Sequence, residues 1–132
     1  MWMSMQISIK ENETGYLLPL SLKELPFIPK RLFVVKNKMK DIHRGDHAHL
    51  NEEHFLICLH GTLKIKYETS LERGTFLLKT GQSYHQKELQ WLNLNFLEEN
   101  TTLLVFSDNE YDEKNYIRDY KVFKHLTNKK VD

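Results

Sequence analysis

Short segments with β-strand character recur about every ten residues along the chain, and this spacing constrains the fold more than any other feature. The segments either alternate apolar and polar residues or are rich in β-branched and aromatic residues, as strands are. They are residues 6–10, 16–20, 31–35, 54–59, 62–67, 75–78, 91–96 and 102–106. Short strands at this spacing, separated by turn residues, are typical of sandwiches and barrels rather than of βαβ units.

The C-terminal residues change from a period of two to a helical period. Apolar and aromatic side chains recur there at helical spacing: Tyr116, Ile117, Tyr120, Phe123 and Leu126. Asp112 and Glu113 lie before this segment and Lys121 and Lys124 near its end, and that order of charges suits the helix dipole. The sequence therefore predicts a single all-β domain over residues 1–132 that ends in a short α-helix.

Composition excludes several classes of function. The 132 residues carry a formal net charge of +1, whereas dedicated nucleic-acid binders show a basic excess, so no nucleic-acid partner is expected. No apolar stretch approaches the ~20 residues of a membrane helix, and the N-terminal apolar residues are too few for a signal peptide. The one cysteine, Cys58, favours a reducing, cytoplasmic setting.

Residues 44–49 read RGDHAH and carry the main functional signal. If this segment is extended, His47 and His49 project from one face of a strand, because strand side chains alternate with period two. The apolar run at residues 54–59 follows closely, so the pair is expected at the head of a sheet. Histidines in such a position typically bind a metal or transfer protons.

A metal site is one interpretation of this pattern. His47, His49 and Glu53 have a spacing close to the first metal motif of a cupin barrel, and His85 is the candidate for a fourth ligand. Imidazole and carboxylate ligands suit Fe, Mn, Ni or Zn. The second motif is poorly matched, since Lys79 stands where a proline normally precedes Gly81 by two.

Proton transfer is a second interpretation. Histidine has an unperturbed pKa of ~6.5 and can accept and return a proton near neutral pH. Arg44 beside the pair would bind an anionic substrate through its planar guanidinium. A third interpretation is purely structural, with the two histidines forming a polar ladder on a solvated sheet face.

Four segments together resemble one family, the cupin-like nucleotide-sugar 3,4-ketoisomerases that act on dTDP-4-keto-6-deoxyglucose. They are residues 26–33 (PFIPKRLF), 44–49 (RGDHAH), 56–61 (LICLHG) and 111–120 (YDEKNYIRDY). They occur in the family's order at plausible spacings. The resemblance implies an all-β, cupin-like (jelly-roll) β-barrel with a short C-terminal helix, assembled as a homodimer that binds a dTDP-sugar in each barrel.

The resemblance also implies the chemistry. Such an enzyme moves the carbonyl from C4 to C3 through an enediol, needs no metal and no redox cofactor, and feeds the synthesis of 3-amino-3,6-dideoxy sugars for surface glycans such as lipopolysaccharide O-antigen. The resemblance places the catalytic histidines at His47 and His49, one as carbon base and the other as acid or relay. The expected substrate-binding residues are Arg44, Arg31, His54 and Trp91, with Trp91 stacking on the thymine ring.

The chain departs from the family pattern at several positions. Phe33 lies where the family tends to carry tyrosine, His54 where it often has glutamine, and Leu92 where it has histidine. These departures leave two alternatives open. One is a different enzyme on the same barrel, either a nucleotide-sugar epimerase or a metal-dependent cupin, and the other is a non-catalytic nucleotide-sugar binding module.

Overall fold

The computed structural model describes residues 4–131 and is built almost entirely from short antiparallel strands. The elements in chain order are β1 (Ser4–Gln6), β2 (Lys10–Asn12), β3 (Gly15–Leu17), β4 (Arg31–Asn37), β5 (Ile42–His49), β6 (His54–His60), β7 (Thr62–Glu68), β8 (Arg73–Lys79), β9 (Gln82–Gln86), β10 (Trp91–Phe96), β11 (Thr101–Ser107), β12 (Tyr116–Ile117) and the helix α1 (Tyr120–Val131). Two 3₁₀ turns lie between them, at Leu22–Glu24 and Glu113–Asn115.

The strands form two five-stranded sheets and a small hairpin. The first sheet has the order β1-β9-β6-β11-β4 and the second the order β12-β5-β10-β7-β8, while β2 and β3 pair with each other. Inward-facing side chains from both sheets pack into one hydrophobic core. The predicted class, an all-β cupin-like (jelly-roll) β-barrel with a short C-terminal helix, is confirmed, in the form of two separately hydrogen-bonded sheets.

The alternation of buried and exposed residues along each strand explains the register of the strands. In β7, Leu63 and Ile65 are fully buried, whereas Lys64 and Lys66, which alternate with them, are exposed. A slip of one residue would move this entire apolar set to solvent, so the pattern fixes the pairing with β8 and β10.

The N-terminal strands differ from the prediction. Strands were expected at residues 6–10 and 16–20, but β1 ends at Gln6 and a two-stranded hairpin follows. The reason is a turn that interrupts the apparent alternation, in which the Asn12 side chain accepts hydrogen bonds from the backbone N–H groups of Thr14 and Gly15.

The C-terminal helix exists but begins later than the helical spacing predicts. Tyr116 and Ile117 form β12 and pair with β5, so their apparent helical period is coincidental. Asp119 precedes the helix, and its side chain accepts a hydrogen bond from the Lys121 N–H at 2.9 Å. Asp112 instead caps the 3₁₀ turn through the Lys114 N–H.

The helix packs on the second sheet. Phe123 is fully buried and its ring centroid lies 5.5 Å from that of Trp91 on β10. Lys124 donates to Glu68 on β7 at 2.8 Å. Within residues 4–131, no helix combines the length and apolar character needed to span a membrane.

Candidate active site

A cavity of about 480 Å³ lies between the two sheets, and its wall carries the histidine motif. Both sheets contribute to it. Its lining consists of Phe33, Val35, His43, Arg44, Gly45, His47, His54, Leu56, Gln86, Leu92, Leu94, Phe96, Leu103, Val105, Tyr116 and Arg118. Polar and cationic side chains thus share the wall with apolar ones, which is the usual composition of a small-molecule site.

A β-bulge in β5 brings two parts of the motif into this cavity. Strand β10 pairs Leu92 with His47 but Asn93 with Gly45, so Asp46 is an extra residue. Gly45 and Asp46 have positive φ values of 95° and 62°. Without the bulge, Arg44 and His47 would point to opposite faces, whereas here both line the cavity.

His47 and His49 lie side by side, as the alternation of a strand requires, with ring centroids 4.9 Å apart. His47 lines the cavity and is partly exposed, but His49 behind it is fully buried. The His49 ring is enclosed by three aromatic rings, those of His47, His54 at 4.1 Å and Tyr116 at 4.8 Å. Neither His49 nitrogen has a hydrogen-bond partner among residues 4–131.

Both histidines are held in the neutral form. Burial is the main reason that the pKa of His47 is lowered from its usual value of 6.5. Burial, together with the neighbouring His54 and His47, lowers the pKa of His49 to about 2. At neutral pH the cavity therefore presents an uncharged imidazole, which is the form that can accept a proton.

A buried carboxylate, Glu52, organises the side chains behind the cavity. It is fully buried, and its Oε2 atom is bonded to His54 Nε2 and accepts hydrogen bonds from Ser107 and from Arg31, each at 2.9 Å. Arg31 also donates to the Tyr116 hydroxyl at 3.3 Å. Burial raises the pKa of Glu52, but the bonds from His54 and Ser107 and the charge of Arg31 outweigh burial and lower the pKa overall.

The metal set predicted from spacing does not form. Glu53 bonds to His85 at 2.6 Å, and His85 lies on the outer face of β9, where its ring contacts Phe27. The reason is strand parity, since Gln86 lines the cavity and its neighbour His85 must point away.

A different triad has metal-like spacing. The ligand atoms of His49, Glu52 and His54 lie within 4.8 Å of one another, and two histidines with one carboxylate can hold a divalent ion. However, the Glu52 carboxylate already pairs with the guanidinium of Arg31. A divalent cation there would lie close to a fixed positive charge, so the arrangement suits proton transfer better than metal binding.

Of the four predicted substrate-binding residues, two line the cavity. Arg44 and His54 line the cavity, and Arg44 Nε donates to Asn37 at 3.0 Å. Arg31 is not among the lining residues and acts on the cavity through Glu52 and Tyr116. Trp91 lies under the helix, packed on Phe123, and the structure does not bring it to the histidines; its role in stacking on the base stays a prediction.

Three residues at the site were not predicted from the sequence: Glu52, Tyr116 and Arg118. A carboxylate two residues before His54 was the available signal for Glu52. Tyr116 was assigned to the helix because its spacing matched. Arg118 stacks on Tyr116, with its guanidinium carbon 4.7 Å from the ring centroid, and pairs with Glu113 at 2.6 Å.

Comparison with known proteins is consistent across sequence and structure. Residues 2–128 match a family model described as FdtA: WxcM-like, C-terminal. A TDP-4-oxo-6-deoxy-alpha-D-glucose-3,4-oxoisomerase from Aneurinibacillus thermoaerophilus is 28% identical over 109 residues, which cover 77% of this chain and 74% of the relative.

Solved structures of sugar ketoisomerases superpose closely on this chain. QdtA, a sugar 3,4-ketoisomerase from Thermoanaerobacterium thermosaccharolyticum in complex with TDP, has a TM-score of 0.87 at 28% identity and covers 98% of this chain and 96% of its own. A histidine-to-asparagine variant of QdtA is described in complex with TDP-4-keto-6-deoxyglucose. A 3,4-ketoisomerase from Helicobacter canadensis has a TM-score of 0.85 at 28% identity, with 96% and 97% of the two chains covered.

Epimerases are more distant. A 3'-monoepimerase from Streptomyces bikiniensis in complex with dTDP-quinovose has a TM-score of 0.73 at 10% identity and covers 87% of this chain and 67% of its own. That level of identity shows a shared fold alone.

Proposed function

The chain belongs to the family described as FdtA: WxcM-like, C-terminal, and from this premise we propose that it is a TDP-4-keto-6-deoxyhexose 3,4-ketoisomerase. The enzyme moves the carbonyl of the sugar from C4 to C3. The observation that carries the proposal is the position of His47, a neutral imidazole on the wall of the cavity between the two sheets. Relatives with this activity superpose over nearly the whole chain.

The reaction requires a base at carbon and a relay between oxygens. The C4 ketone acidifies the proton on C3, and His47, uncharged at neutral pH, removes that proton to give an enediol. Return of the proton to C4 completes the isomerisation, with no net oxidation. We assign the carbon step to His47 because it faces the cavity, whereas His49, the second histidine of the motif, is fully buried against it.

The residues that line the cavity also suit a nucleotide-sugar substrate. Two arginines, Arg44 and Arg118, lie on its lining, and guanidinium groups bind phosphate oxygens through paired donors. Leucines at positions 92 and 94 provide an apolar wall that suits the methyl group of a 6-deoxy sugar. We propose that the diphosphate binds the two arginines while the hexose reaches the histidines.

Direct conversion tests the function. Purified protein is incubated with TDP-4-keto-6-deoxyglucose, and the sugar is followed by proton NMR. The proposal requires the 3-keto isomer to appear in the presence of protein and at no comparable rate in its absence. TDP-sugar that binds but stays unchanged would support the non-catalytic binding module instead.

We further propose that the protein assembles as a homodimer. Strand β4 is the edge of the first sheet, and its outward side chains Leu32 and Val34 are 58% and 55% exposed within one chain. An apolar sheet edge is normally covered. Light scattering of the wild-type protein is expected to give twice the mass of one chain, and the Val34→Lys variant is expected to have the mass of one chain. A wild-type protein with the mass of one chain would contradict the proposal.

A cytoplasmic setting is proposed on chemical grounds. Cys58 is a free thiol, fully buried within the core. Burial raises its pKa to about 12, so it is protonated at neutral pH. As the single cysteine of the sequence it can form no intrachain disulfide, which suits a reducing compartment. Fractionation of cells that express the protein is expected to recover it with cytoplasmic markers; recovery with secreted proteins would contradict this setting.

A further inference from the structure

We propose that His54 and Glu52 form a catalytic dyad, in which His54 carries the hydroxyl proton between O3 and O4 of the sugar while His47 acts on carbon. The inference rests on the proposed isomerase function. From the sequence, His54 was expected to bind substrate, and the relay role was assigned to His47 or His49. The dyad gives the relay role to His54.

Position in the cavity is the first argument. Three histidines line the chamber: His43 and His47 from the second sheet and His54 from the first. His43 is already bonded to Asp46 at 3.0 Å. His49 lies between His47 and His54 with no exposed surface, its ring 4.9 Å from that of His47 and 4.1 Å from that of His54. A sugar in the cavity therefore meets His47 and His54, and His49 supports both rings from behind.

The bond between His54 and Glu52 is the second argument. His54 Nε2 is bonded to Glu52 Oε2, so this nitrogen carries the hydrogen and Nδ1 is left as the nitrogen that can accept a proton. Glu52 is itself fixed by Ser107 and Arg31. A buried carboxylate in this position fixes the tautomer of an imidazole and stabilises the imidazolium when it forms.

The reaction moves two protons, one from C3 to C4 and one from O3 to O4, and the two histidines give each proton its own carrier. His47 takes the C3 proton, the C3–H electron pair becomes the C3=C4 double bond, and the carbonyl electrons move to O4. His54 Nδ1 takes the O3 hydroxyl proton and delivers it to O4. The O3 electrons then form the new carbonyl, and the double-bond pair takes the proton that His47 returns to C4. Both histidines end unchanged.

Kinetics of three variants test the dyad. His54→Gln removes the proton carrier, and Glu52→Gln keeps an acceptor for His54 but removes the charge. We expect each to lower kcat by about 10²-fold with KM unchanged, since a positioned acid–base group contributes at least that much. The double variant is expected to be no slower than His54→Gln, because the two residues act as one unit.

The outer pair of Glu53 and His85 provides a matched control. It is also a histidine bonded to a glutamate, at 2.6 Å, but it lies on the outer face of the first sheet. His85→Gln is expected to keep the wild-type kcat. A His54→Gln enzyme with near wild-type kcat, or losses that add in the double variant together with a raised KM, would overturn the dyad.

Nitrogen-15 NMR of the wild-type histidine rings gives a readout that does not depend on folding of a variant. The dyad requires His54 to be the Nε2–H tautomer, with its ring signals assigned by through-bond correlation to its own backbone in the wild-type protein; an Nδ1–H tautomer would contradict it. Failure of the proposed function is recognised separately, since the wild-type protein would then leave the ketosugar unchanged.

Discussion

At the scale of single residues, the site depends on imidazoles that stay uncharged at neutral pH. His47 and His49 are shielded from solvent between the two sheets, which disfavours their protonated forms. Nearby cations such as Arg118 disfavour these forms further. A neutral imidazole can act as a base, whereas a protonated one cannot. Burial thus supplies the protonation state that enediol chemistry requires.

The pH dependence of catalysis follows from this burial. Because the pKa of His47 is lowered from 6.5, the active neutral form persists as the pH falls below that value. We expect kcat/KM to be constant between about pH 8 and pH 6.5 and to decline with a midpoint below 6.5, since kcat/KM reports groups of the free enzyme. Initial rates measured across buffers of constant ionic strength check this.

A variant identifies the group that titrates. His47→Asn is expected to leave only residual activity without that acid limb. A wild-type midpoint at or above 6.5 that is unchanged in His54→Gln would mean that the catalytic base is not a desolvated histidine.

At the scale of elements, the bulge in β5 is the feature that assembles the motif. Gly45 lies opposite β10, where the two strands approach closely. A Cβ atom placed on this residue would lie 3.0 Å from the Leu92 carbonyl oxygen. Its φ of 95° is also one that other residues rarely adopt. The glycine of the motif is therefore needed by the backbone, while Arg44 and His47 on either side serve the cavity.

Gly45→Ala is the corresponding test of the bulge. The added Cβ and the positive φ are expected to cost about 1–3 kcal/mol of the free energy of unfolding and to lower kcat by shifting His47. Urea unfolding and kinetics measure the two effects. Gly15→Ala is the control, because a Cβ there meets nothing within 4 Å, and equal stability loss in both variants would show that the contact with Leu92 is unimportant.

The second element that positions the site is the C-terminal segment, where β12 and α1 hold β5 from outside. Trp91 is part of this contact, with ring centroids 5.5 Å from Phe123 and 5.4 Å from Tyr120. Trp91→Phe is therefore expected to lower stability by about 0.5–3 kcal/mol while KM for the TDP-sugar stays unchanged. Thermal unfolding and steady-state kinetics check this, and a raised KM at unchanged stability would instead support the predicted stacking of Trp91 on the base.

At the scale of the whole molecule, local sequence pattern accounts for the fold better than for the site. Strands β7 and β10 were predicted because alternation is a property of neighbouring residues, and the pairing of His47 with His49 follows from the same period of two. The single domain over residues 1–132 stays a prediction.

Other parts of the site depend on contacts between residues far apart in sequence. Glu52 joins Arg31 of β4 to Ser107 of β11, and Tyr116 reaches His49 only because β12 pairs with β5. No local period encodes these contacts. They explain why Glu53 was chosen over Glu52 and why Tyr116 was assigned to the helix.

The most direct test of the account follows deuterium during turnover. TDP-4-keto-6-deoxyglucose is incubated in D₂O with the wild-type protein, beside His47→Asn and His49→Asn, and the sugar is read by proton NMR. We expect a 3-keto product that gains deuterium at C4 over repeated turnovers, because the proton held on His47 exchanges with D₂O before it returns to carbon. This product should be lost in His47→Asn, with a lesser defect in His49→Asn, since His49 supports the ring from behind. Deuterium at C5 with the 4-ketone retained would indicate an epimerase, and full activity in His47→Asn would contradict the assigned base.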